Sequence, residues 1–529
     1  MGKSFNVEGV CFEQNHYMVN LEKRIEAIRL LIDAGKYFTI NKARQYGKTT
    51  TITSLKTMLD AEYAIFFISF EGIGDAAYQS EDAFCHYFYG LLYDVFYYKE
   101  IQGFSEQVIE SCHKKSIDVS IRLDLRELSN FISRICTEAG RPVVLIIDEV
   151  DQASNQKIFL DFLGMLRAKY LKRNSRPTFQ SIILASVYDI KNLKQKIRSE
   201  EEHQYNSPWN IAADFTIEMS FSIVDIMGML SEYEADYRTG MDIENVAKQI
   251  YKFTSGYPYL VSRICKVIDE SVGTAEEANG LTWSEMGVVR AVKIISKESS
   301  TLFDDIRKKL DDFPMLRKVL EDILFNGSQI PYNQYNENMD IGLMFGFLKE
   351  SNGTVVIANC IFETFFYNLF ISEQALNNVL YQRGDADKRQ FVRDGILDMD
   401  MVLKKFMEHF TEVYGDSDLK FIEENGRRLF LLYLKPIING TGNYYIEAQT
   451  RDRKRTDVIV DYLGQQYVIE LKIWHREEYN CRGEVQLAEY LDAYHVDKGY
   501  MISFNFNKNK KAGMHEIECK GKKILEIIV

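Results

Sequence analysis

Proline is scarce in this chain of 529 residues, where it occurs only seven times. Together with an apolar content of 46%, this scarcity argues against long disordered or low-complexity segments. The apolar runs, such as 143–147, are far too short to cross a bilayer, and the N-terminal MGKSFNVEGV has no apolar signal region. The sequence predicts a cytoplasmic globular protein with no membrane contact and, for its length, about two to four domains.

Cysteine is also sparse, with eight residues and no Cys-x-x-Cys pair, which is typical of a reduced, cytosolic protein. Two cysteines precede histidines, in Cys85-His86 and Cys112-His113. Adjacent side chains point apart on a helix or strand. We therefore expect both cysteines to pack in the core, with no zinc site and no thiol nucleophile.

Positive charge is in deficit, and a net charge of −13 excludes a generally basic surface for nucleic acid. Residues 401–529 nevertheless contain 20 basic and 20 acidic residues, so the negative excess lies in the first 400. Basic clusters at 451–455 and 508–523 could contact phosphates. On charge alone, solvated loops are the simpler interpretation of these clusters.

Strands and helices alternate through the first half of the chain. Helical spacing predicts a helix over 21–33, and a strand over 37–40 is followed by a helix over 48–59. Further strands are predicted at 63–70, 143–148 and 180–186. This order predicts an α/β fold with a parallel sheet covered on both faces, whose ligands bind beyond the carboxyl ends of the strands.

A phosphate-binding motif lies between the first strand and its helix, at Gly47, Lys48, Thr49 and Thr50. Backbone N–H groups of the turn and the helix N-terminus would face the phosphates of ATP. Lys48 would reach the β/γ-phosphates, and the Thr49 hydroxyl would bind Mg²⁺. The pattern departs from the usual loop because Lys42 stands at its first glycine position.

Asp148 and Glu149 follow the continuous apolar run 143–147. An acidic residue at the tip of a buried strand is costly unless it holds a cation or a partner. We expect Asp148 to contact the same Mg²⁺ and Glu149 to act as the base that activates water. A carboxylate that only caps the next turn is the alternative. The two motifs together predict a P-loop NTPase core, a hydrolase.

Three stretches, YFTINKARQYGKTT (37–50), IIDEVD and Ser255-Gly-Tyr-Pro-Tyr259, resemble the AAA-ATPase-like family of bacterial proteins, close to archaeal-type and STAND ATPases. The resemblance implies adenine rather than guanine, and no Asn-Lys-x-Asp guanine motif is present. It makes Arg44 a basic residue of the nucleotide loop. It also implies that the Gly256-Tyr-Pro258 turn lies near the nucleotide and that Ser186 senses the γ-phosphate. Assembly into a homo-oligomer is typical of such ATPases.

The domain organisation follows from these patterns. Residues 1–215 are predicted to form the P-loop ATPase core, and 216–305 a helical lid. Residues 306–380 have helices followed by a β-wing and resemble a winged-helix module. This module is acidic and lacks a basic recognition helix, so transmission of conformational change is favoured over DNA binding. Residues 381–404 are expected to be a linker to a last domain at 405–529.

The last domain carries a second group of chemically active residues. Asp457 begins an alternating strand, and a turn at 463–466 reverses the chain into a strand that holds Glu470 and Lys472. Two carboxylates on adjacent strands make an oxygen-rich site suited to Mg²⁺ or Mn²⁺. A lysine beside them can orient water and offset charge on a phosphate.

The spacing Asp–x₁₂–Glu–x–Lys resembles the PD-(D/E)XK nuclease superfamily, which implies an α/β restriction-endonuclease-like fold. Thr456 stands where that family often has proline. Glu423 or Glu424 would be an additional acidic residue from a preceding helix. Gln486 and Tyr490 match the Gln-x₃-Tyr helix motif of the RecB-like branch. A surface ion pair is the alternative for Glu470 and Lys472.

Together, these expectations predict an ATP-controlled, metal-dependent nuclease. Its expected substrate is nucleic acid, with DNA favoured over RNA. The rival hypothesis is an NTP-driven signalling or scaffold protein whose nuclease-like domain binds without cutting. A third hypothesis is a winged-helix regulator that binds DNA without cutting it.

Overall fold

The computed structural model describes residues 2–154, 156–187, 209–272, 282–326, 328, 330–333, 336–375, 378–393, 395–414, 419–438, 442–447, 456–463, 465–474, 484–485, 487–489, 491–492, 496–505 and 513–529. The described residues divide between two compact units. The first comprises Met1–Lys248, Gly256–Thr274 and Met344–Gly346. The second comprises Gln249–Ser255, Ala275–Leu343 and Phe347–Val529. None of the helices in the described ranges is long and apolar enough to span a membrane.

A four-stranded parallel sheet organises the first unit. Its strands are β1 (Phe38–Asn41), β2 (Ala64–Ser69), β3 (Val143–Asp148) and β4 (Ser181–Ser186), in the order β1-β4-β3-β2. The surrounding helices are α1 (Glu22–Asp33), α2 (Lys48–Leu59), α3 (Glu81–Tyr97), α4 (Glu106–Ile117), α5 (Leu125–Glu138) and α6 (Lys157–Leu171). The predicted α/β fold with a parallel sheet is confirmed.

Both faces of this sheet are buried, as the continuous apolar run of β3 predicts. Leu145 and Ile147 pack in one hydrophobic cluster, and Val144 and Ile146 pack in a second cluster across the sheet. Every residue of β3 is buried, including Asp148 at its carboxyl end. The strand order places β4 between β1 and β3, so the ends of these three strands meet at one edge.

Helices α7 (Ile223–Tyr237), α8 (Ile243–Thr254) and α9 (Pro258–Val267) follow in the chain. Cys85 and Cys112 are both fully buried in the core of the first unit, which confirms that they are packing residues.

The second unit contains α10 (Glu285–Ile295), α11 (Thr301–Asp312), α12 (Pro314–Asn326) and α13 (Glu337–Met344), the last of which ends at the unit boundary. A small antiparallel sheet is formed by β5 (Ile330–Pro331), which precedes α13 in the chain, and by β6 (Leu348–Ser351) and β7 (Thr354–Ile357), which follow it. The strand order is β5-β7-β6. Helix α14 (Cys360–Ala375) comes next. The range 306–380 thus contains helices and a small antiparallel sheet, and its assignment as a winged-helix module stays a prediction.

The segment expected to be a linker, 381–404, contains regular structure. It includes most of α15 (Val379–Asp387), a hairpin of β8 (Val392–Arg393) and β9 (Ile396–Leu397), and the start of α16 (Met399–Tyr414). Val402 and Leu403 are fully buried. The apolar residues of α16 recur at helical spacing and form one buried face, which explains why this segment is packed against its surroundings.

The C-terminal part forms a six-stranded mixed sheet after α17 (Leu419–Ile438). Its strands are β10 (Gly442–Glu447), β11 (Thr456–Tyr462), β12 (Gln465–Trp474), β13 (Lys498–Asn505), β14 (Gly513–Cys519) and β15 (Lys522–Ile528), in the order β10-β11-β12-β13-β15-β14. The pairs β12–β13 and β13–β15 are parallel, and the other pairs are antiparallel. Leu487 and Leu491 pack on the face that carries Ile459, Val468 and Met501.

Glu363 on α14 is a buried carboxyl that should make stability depend on pH. Burial raises its pKa from 4.5 to about 7, although Arg427 and Lys349 act to lower it. The folded state therefore holds the proton more tightly than the unfolded chain. The free energy of unfolding should fall as pH rises from about 4.5 to about 7, by about 3 kcal/mol from this group.

Glu363→Gln should remove that part of the pH dependence and raise stability at pH 8. Urea unfolding at several pH values between 4.5 and 8 measures it. Glu516→Gln, at an exposed position of the same unit, is the matched control and should leave the slope unchanged. An unaltered slope in Glu363→Gln would contradict the assignment.

Candidate functional site

The loop between β1 and α2 has the geometry of a phosphate-binding turn. Gly47 precedes the helix with φ +76°, in the left-handed region that favours glycine. Lys48 is buried, and its ammonium Nζ donates to the carbonyl oxygens of Lys42 at 2.8 Å and Ala43 at 3.1 Å. Burial lowers the pKa of Lys48. The loop therefore surrounds the cation that the motif requires.

Thr49 and Asp148 meet at the edge where α2 begins and β3 ends. The Thr49 hydroxyl donates to Asp148 Oδ2 at 2.9 Å, and Asp148 is 3% exposed. Two neighbouring ligands in an octahedral Mg²⁺ site, each at 2.0–2.1 Å from the ion, lie about 2.9 Å apart. The two oxygens thus fit a single Mg²⁺, and a buried carboxylate is the ligand type that this ion prefers.

Glu149 follows in a left-handed backbone conformation, with φ +54°. Its N–H donates to Asp148 Oδ1 at 2.9 Å, which turns the chain sharply at the strand end. Desolvation, and then the charge of Asp148, raise the pKa of Glu149. A half-buried carboxylate with a raised pKa is chemically suited to accept a proton near neutral pH.

Ser186 ends β4 beside the loop, and its hydroxyl donates to Asn41 Oδ1 at 3.1 Å. The next residue, Val187, donates its N–H to Asp151 Oδ2 at 2.8 Å. Asp151 is also the first of the charged groups that act on Lys48. Sequence reasoning missed Asp151, although it is the third carboxylate of the IIDEVD run and thus carried a signal.

The remaining predicted residues of the loop hold it in place. Thr50 Oγ1 accepts the N–H of Cys11 at 3.2 Å. The carbonyl oxygen of Arg44 accepts the hydroxyl of Tyr257 at 2.7 Å, and the rings of Tyr46 and Tyr257 lie 4.7 Å apart. The structure thus brings the Gly256-Tyr-Pro258 turn against the phosphate-binding loop.

Gly256 is required by this turn. Its φ is +75°, and its carbonyl accepts the N–H of Phe221 at 2.8 Å. A Cβ at this position would lie 2.0 Å from the carbonyl oxygen of Phe221. Gly256→Ala should therefore destabilise the protein by about 3–5 kcal/mol, measured by urea unfolding.

Gly240→Ala is the matched control, since Gly240 has φ +77° but no atom within 4 Å of its Cβ position. It should cost only about 1 kcal/mol, because it adds backbone strain without a clash. Equal losses in the two variants would show that the contact with Phe221 does not matter.

The second predicted group lies on the mixed sheet of the second unit. The register pairs residue 457 of β11 directly with Glu470 of β12, as the hairpin predicted. Glu470 is 1% exposed and Lys472 is 5% exposed. Because alternate residues of a strand share a face, Glu470 and Lys472 lie on the same face of β12 as Val468, which packs with Leu487. The Glu-x-Lys pair is therefore buried at one end of an apolar face, which a surface ion pair would not be.

Glu526 and Ser503 complete this group and were missed by sequence reasoning. Glu526 Oε1 lies 3.4 Å from Lys472 Nζ and accepts a hydrogen bond from the Ser503 hydroxyl. Burial lowers the pKa of Lys472, against the charges of Glu526 and then Glu470. No local motif could indicate Glu526, because it lies more than fifty residues along the chain and reaches Lys472 through strand pairing.

Several predicted residues cannot be placed in the site. Gln486, Tyr490 and the basic cluster 451–455 lie outside the described residues. Glu423 and Glu424 belong to α17, and Asp457 to β11, but their side chains also lie outside the described part. Among the side chains that are described, no three His, Cys, Asp or Glu residues are grouped so that they could hold a metal ion.

Comparisons with known proteins find a family that covers the region of the first site. A family model described as an AAA-like domain matches residues 8–277, slightly more than half of the chain. The matched range includes the whole P-loop region and the Gly256-Tyr-Pro258 turn. A search of curated proteins gave no match.

Similar solved structures include a Walker-type ATPase of Pyrococcus abyssi, with 12% identity, 68% of this chain and 99% of that chain covered, and a TM-score of 0.46. The Aeropyrum pernix ORC2 protein, in ADPNP–ADP complexes, has 12% identity, covers 70% and 98% of the two chains, and has a TM-score of 0.41. The Thermotoga maritima RuvB Holliday junction branch migration motor has 12% identity, coverage of 64% and 92%, and a TM-score of 0.32.

Proposed function

The chain belongs to the AAA-like domain family, and from this premise we propose that it binds and hydrolyses ATP and thereby controls a metal-dependent nuclease in its C-terminal domain. The observation that carries the ATPase half is the 2.9 Å contact between the Thr49 hydroxyl and Asp148, with Glu149 next in the chain. The nuclease half rests on the register of residue 457 with buried Glu470.

In the proposed reaction, the loop N–H groups and Lys48 bind the phosphates of ATP. Thr49 and Asp148 hold Mg²⁺, which would offset negative charge on the transferred phosphoryl group. Glu149 accepts a proton from the attacking water, and its raised pKa favours that role. Ser186, at the end of β4, is proposed to contact the terminal phosphate.

Control by ATP would begin at contacts of the loop. Tyr257 donates to the Arg44 carbonyl, so a change in the loop alters the turn that starts α9. Gly346 also packs there, since a Cβ at Gly346 would lie 3.3 Å from the Cβ of Ala43. Strand β6 of the β-wing begins two residues after Gly346. A displacement of the phosphate-binding loop would therefore act on both the turn before α9 and the start of β6.

For the C-terminal domain we propose that Asp457 and Glu470 hold Mg²⁺ or Mn²⁺ and that Lys472 orients the attacking water. The expected substrate is DNA. A buried glutamate and lysine two residues apart on one face provide the required charges at one end of the sheet.

A signalling or scaffold protein whose nuclease-like domain binds without cutting is the second candidate function. It is favoured by the ion pair between Lys472 and Glu526, which can hold the lysine in a purely structural role. Incubation of the full chain with supercoiled plasmid, linear duplex, single-stranded DNA and RNA, with Mg²⁺ or Mn²⁺, separates the two. Cutting that is lost in Lys472→Ala supports the nuclease, whereas binding without cutting supports the scaffold.

A further inference from the structure

A cavity of about 550 Å³ lies within the second unit, and none of its lining residues belongs to either site described above. It is lined by α10, α14, the end of α17 and β10, and its volume is in the range typical of small-molecule sites. Its walls combine aromatic rings with cationic and amide groups. The aromatic rings belong to Phe253, Phe365 and Tyr444.

Three lysines, Lys293, Lys297 and Lys435, line this cavity. Of the described residues that line it, none is Asp or Glu. Lys293 is paired with Asp461 at 2.5 Å. In the described part of the chain, neither Lys297 nor Lys435 has a carboxylate within ion-pair distance. The described lining of the cavity is therefore net positive, in a chain whose net charge is −13.

Lys435 is the most informative of these groups. It is largely buried, and its ammonium donates to the amide oxygen of Asn368 at 2.6 Å. It also lies 5.4 Å from the centre of the Tyr444 ring. Desolvation lowers the pKa of Lys435. A buried cation with one neutral acceptor is costly, and an anionic ligand would offset that cost.

Tyr444 contributes its aromatic ring to the same wall. It is 4% exposed, and its hydroxyl has no hydrogen-bond partner among the described residues. We propose that this cavity binds a small molecule through a phosphate group that contacts Lys435 and Lys297. In a nucleotide the base would also pack on the aromatic rings, whereas an inorganic phosphate would use the lysine contacts alone, and the two share the chemistry that the lysines recognise.

Isothermal titration calorimetry on the full chain tests this site. A Lys48→Ala background removes nucleotide binding at the phosphate-binding loop, and the probes are AMP, inorganic pyrophosphate and adenosine. We expect AMP or pyrophosphate to bind with one site per chain. Lys435→Met, which keeps the apolar stem, should weaken that binding about tenfold to a hundredfold. Lys297→Met, at an exposed position, should weaken it in the same direction.

Lys405→Met is the matched control, since Lys405 is paired with Glu408 outside the cavity and its loss should not change binding. Tighter binding of AMP than of pyrophosphate would identify the ligand as a nucleotide, and the reverse order would identify it as an inorganic anion. The proposal is overturned if neither anion binds, if adenosine binds as tightly as AMP, or if neither lysine substitution alters affinity.

Discussion

Glu149→Gln is expected to slow ATP hydrolysis by about 10²–10⁴-fold while ATP binding is retained. The substitution keeps the size of the side chain and removes only its ability to accept a proton. The position of Glu149 beside buried Asp148, and its raised pKa, are the reasons for expecting a large effect on kcat. Steady-state phosphate release gives kcat, and equilibrium titration with ATP gives the affinity.

Two further variants make this result specific. Lys48→Ala should lose ATP binding as well as hydrolysis, because it removes the cation inside the loop. Glu110→Gln is the matched control, since Glu110 is an exposed carboxylate on α4, and it should behave as wild type. A wild-type kcat in Glu149→Gln would rule out Glu149 as the base.

Loss of metal-dependent cleavage is the second large effect that we expect, in Glu470→Gln. The substitution removes the charge of a proposed metal ligand from a buried position opposite residue 457. Cleavage should fall by at least about 10²-fold, since both the metal site and the charge stabilisation that it provides are impaired. Initial rates on the substrate that wild type cuts best, across a range of Mn²⁺ concentrations, measure the loss.

Glu489→Gln provides the control, because Glu489 is exposed and belongs to the same domain. Its cleavage rate should equal that of wild type. Urea unfolding of Glu470→Gln must show a folded domain for the comparison to hold. Cleavage by folded Glu470→Gln at the wild-type rate would contradict the assignment of Glu470 to the metal site.

The elements that position the first site follow closely from the sequence. Helix α2 begins at Lys48 and β3 ends at Asp148, as the local patterns predict, because a glycine turn and a continuous apolar run are both local signals. The pairing of residue 457 with Glu470 was also predictable, since a short turn fixes the register of a hairpin.

The contacts that the sequence did not indicate join distant parts of the chain. Glu526 meets Lys472 only because β15 pairs with β13 beside β12. Tyr257 reaches Arg44 across more than two hundred residues. The cavity around Lys435 likewise depends on how α10, α14 and β10 pack. Local sequence patterns predict helices and strands. Contacts between distant residues depend on tertiary packing, which cannot be read from the local pattern of a single sequence.

The coupling between the two sites is the central claim, and one measurement tests it most directly. It is the rate of metal-dependent cleavage with and without ATP, compared between wild type and Lys48→Ala. We predict that ATP changes the rate in wild type and has no effect in Lys48→Ala, while Lys472→Ala is inactive in both conditions. Cleavage that is unaffected by ATP in wild type would contradict the claim that the ATPase domain controls the nuclease.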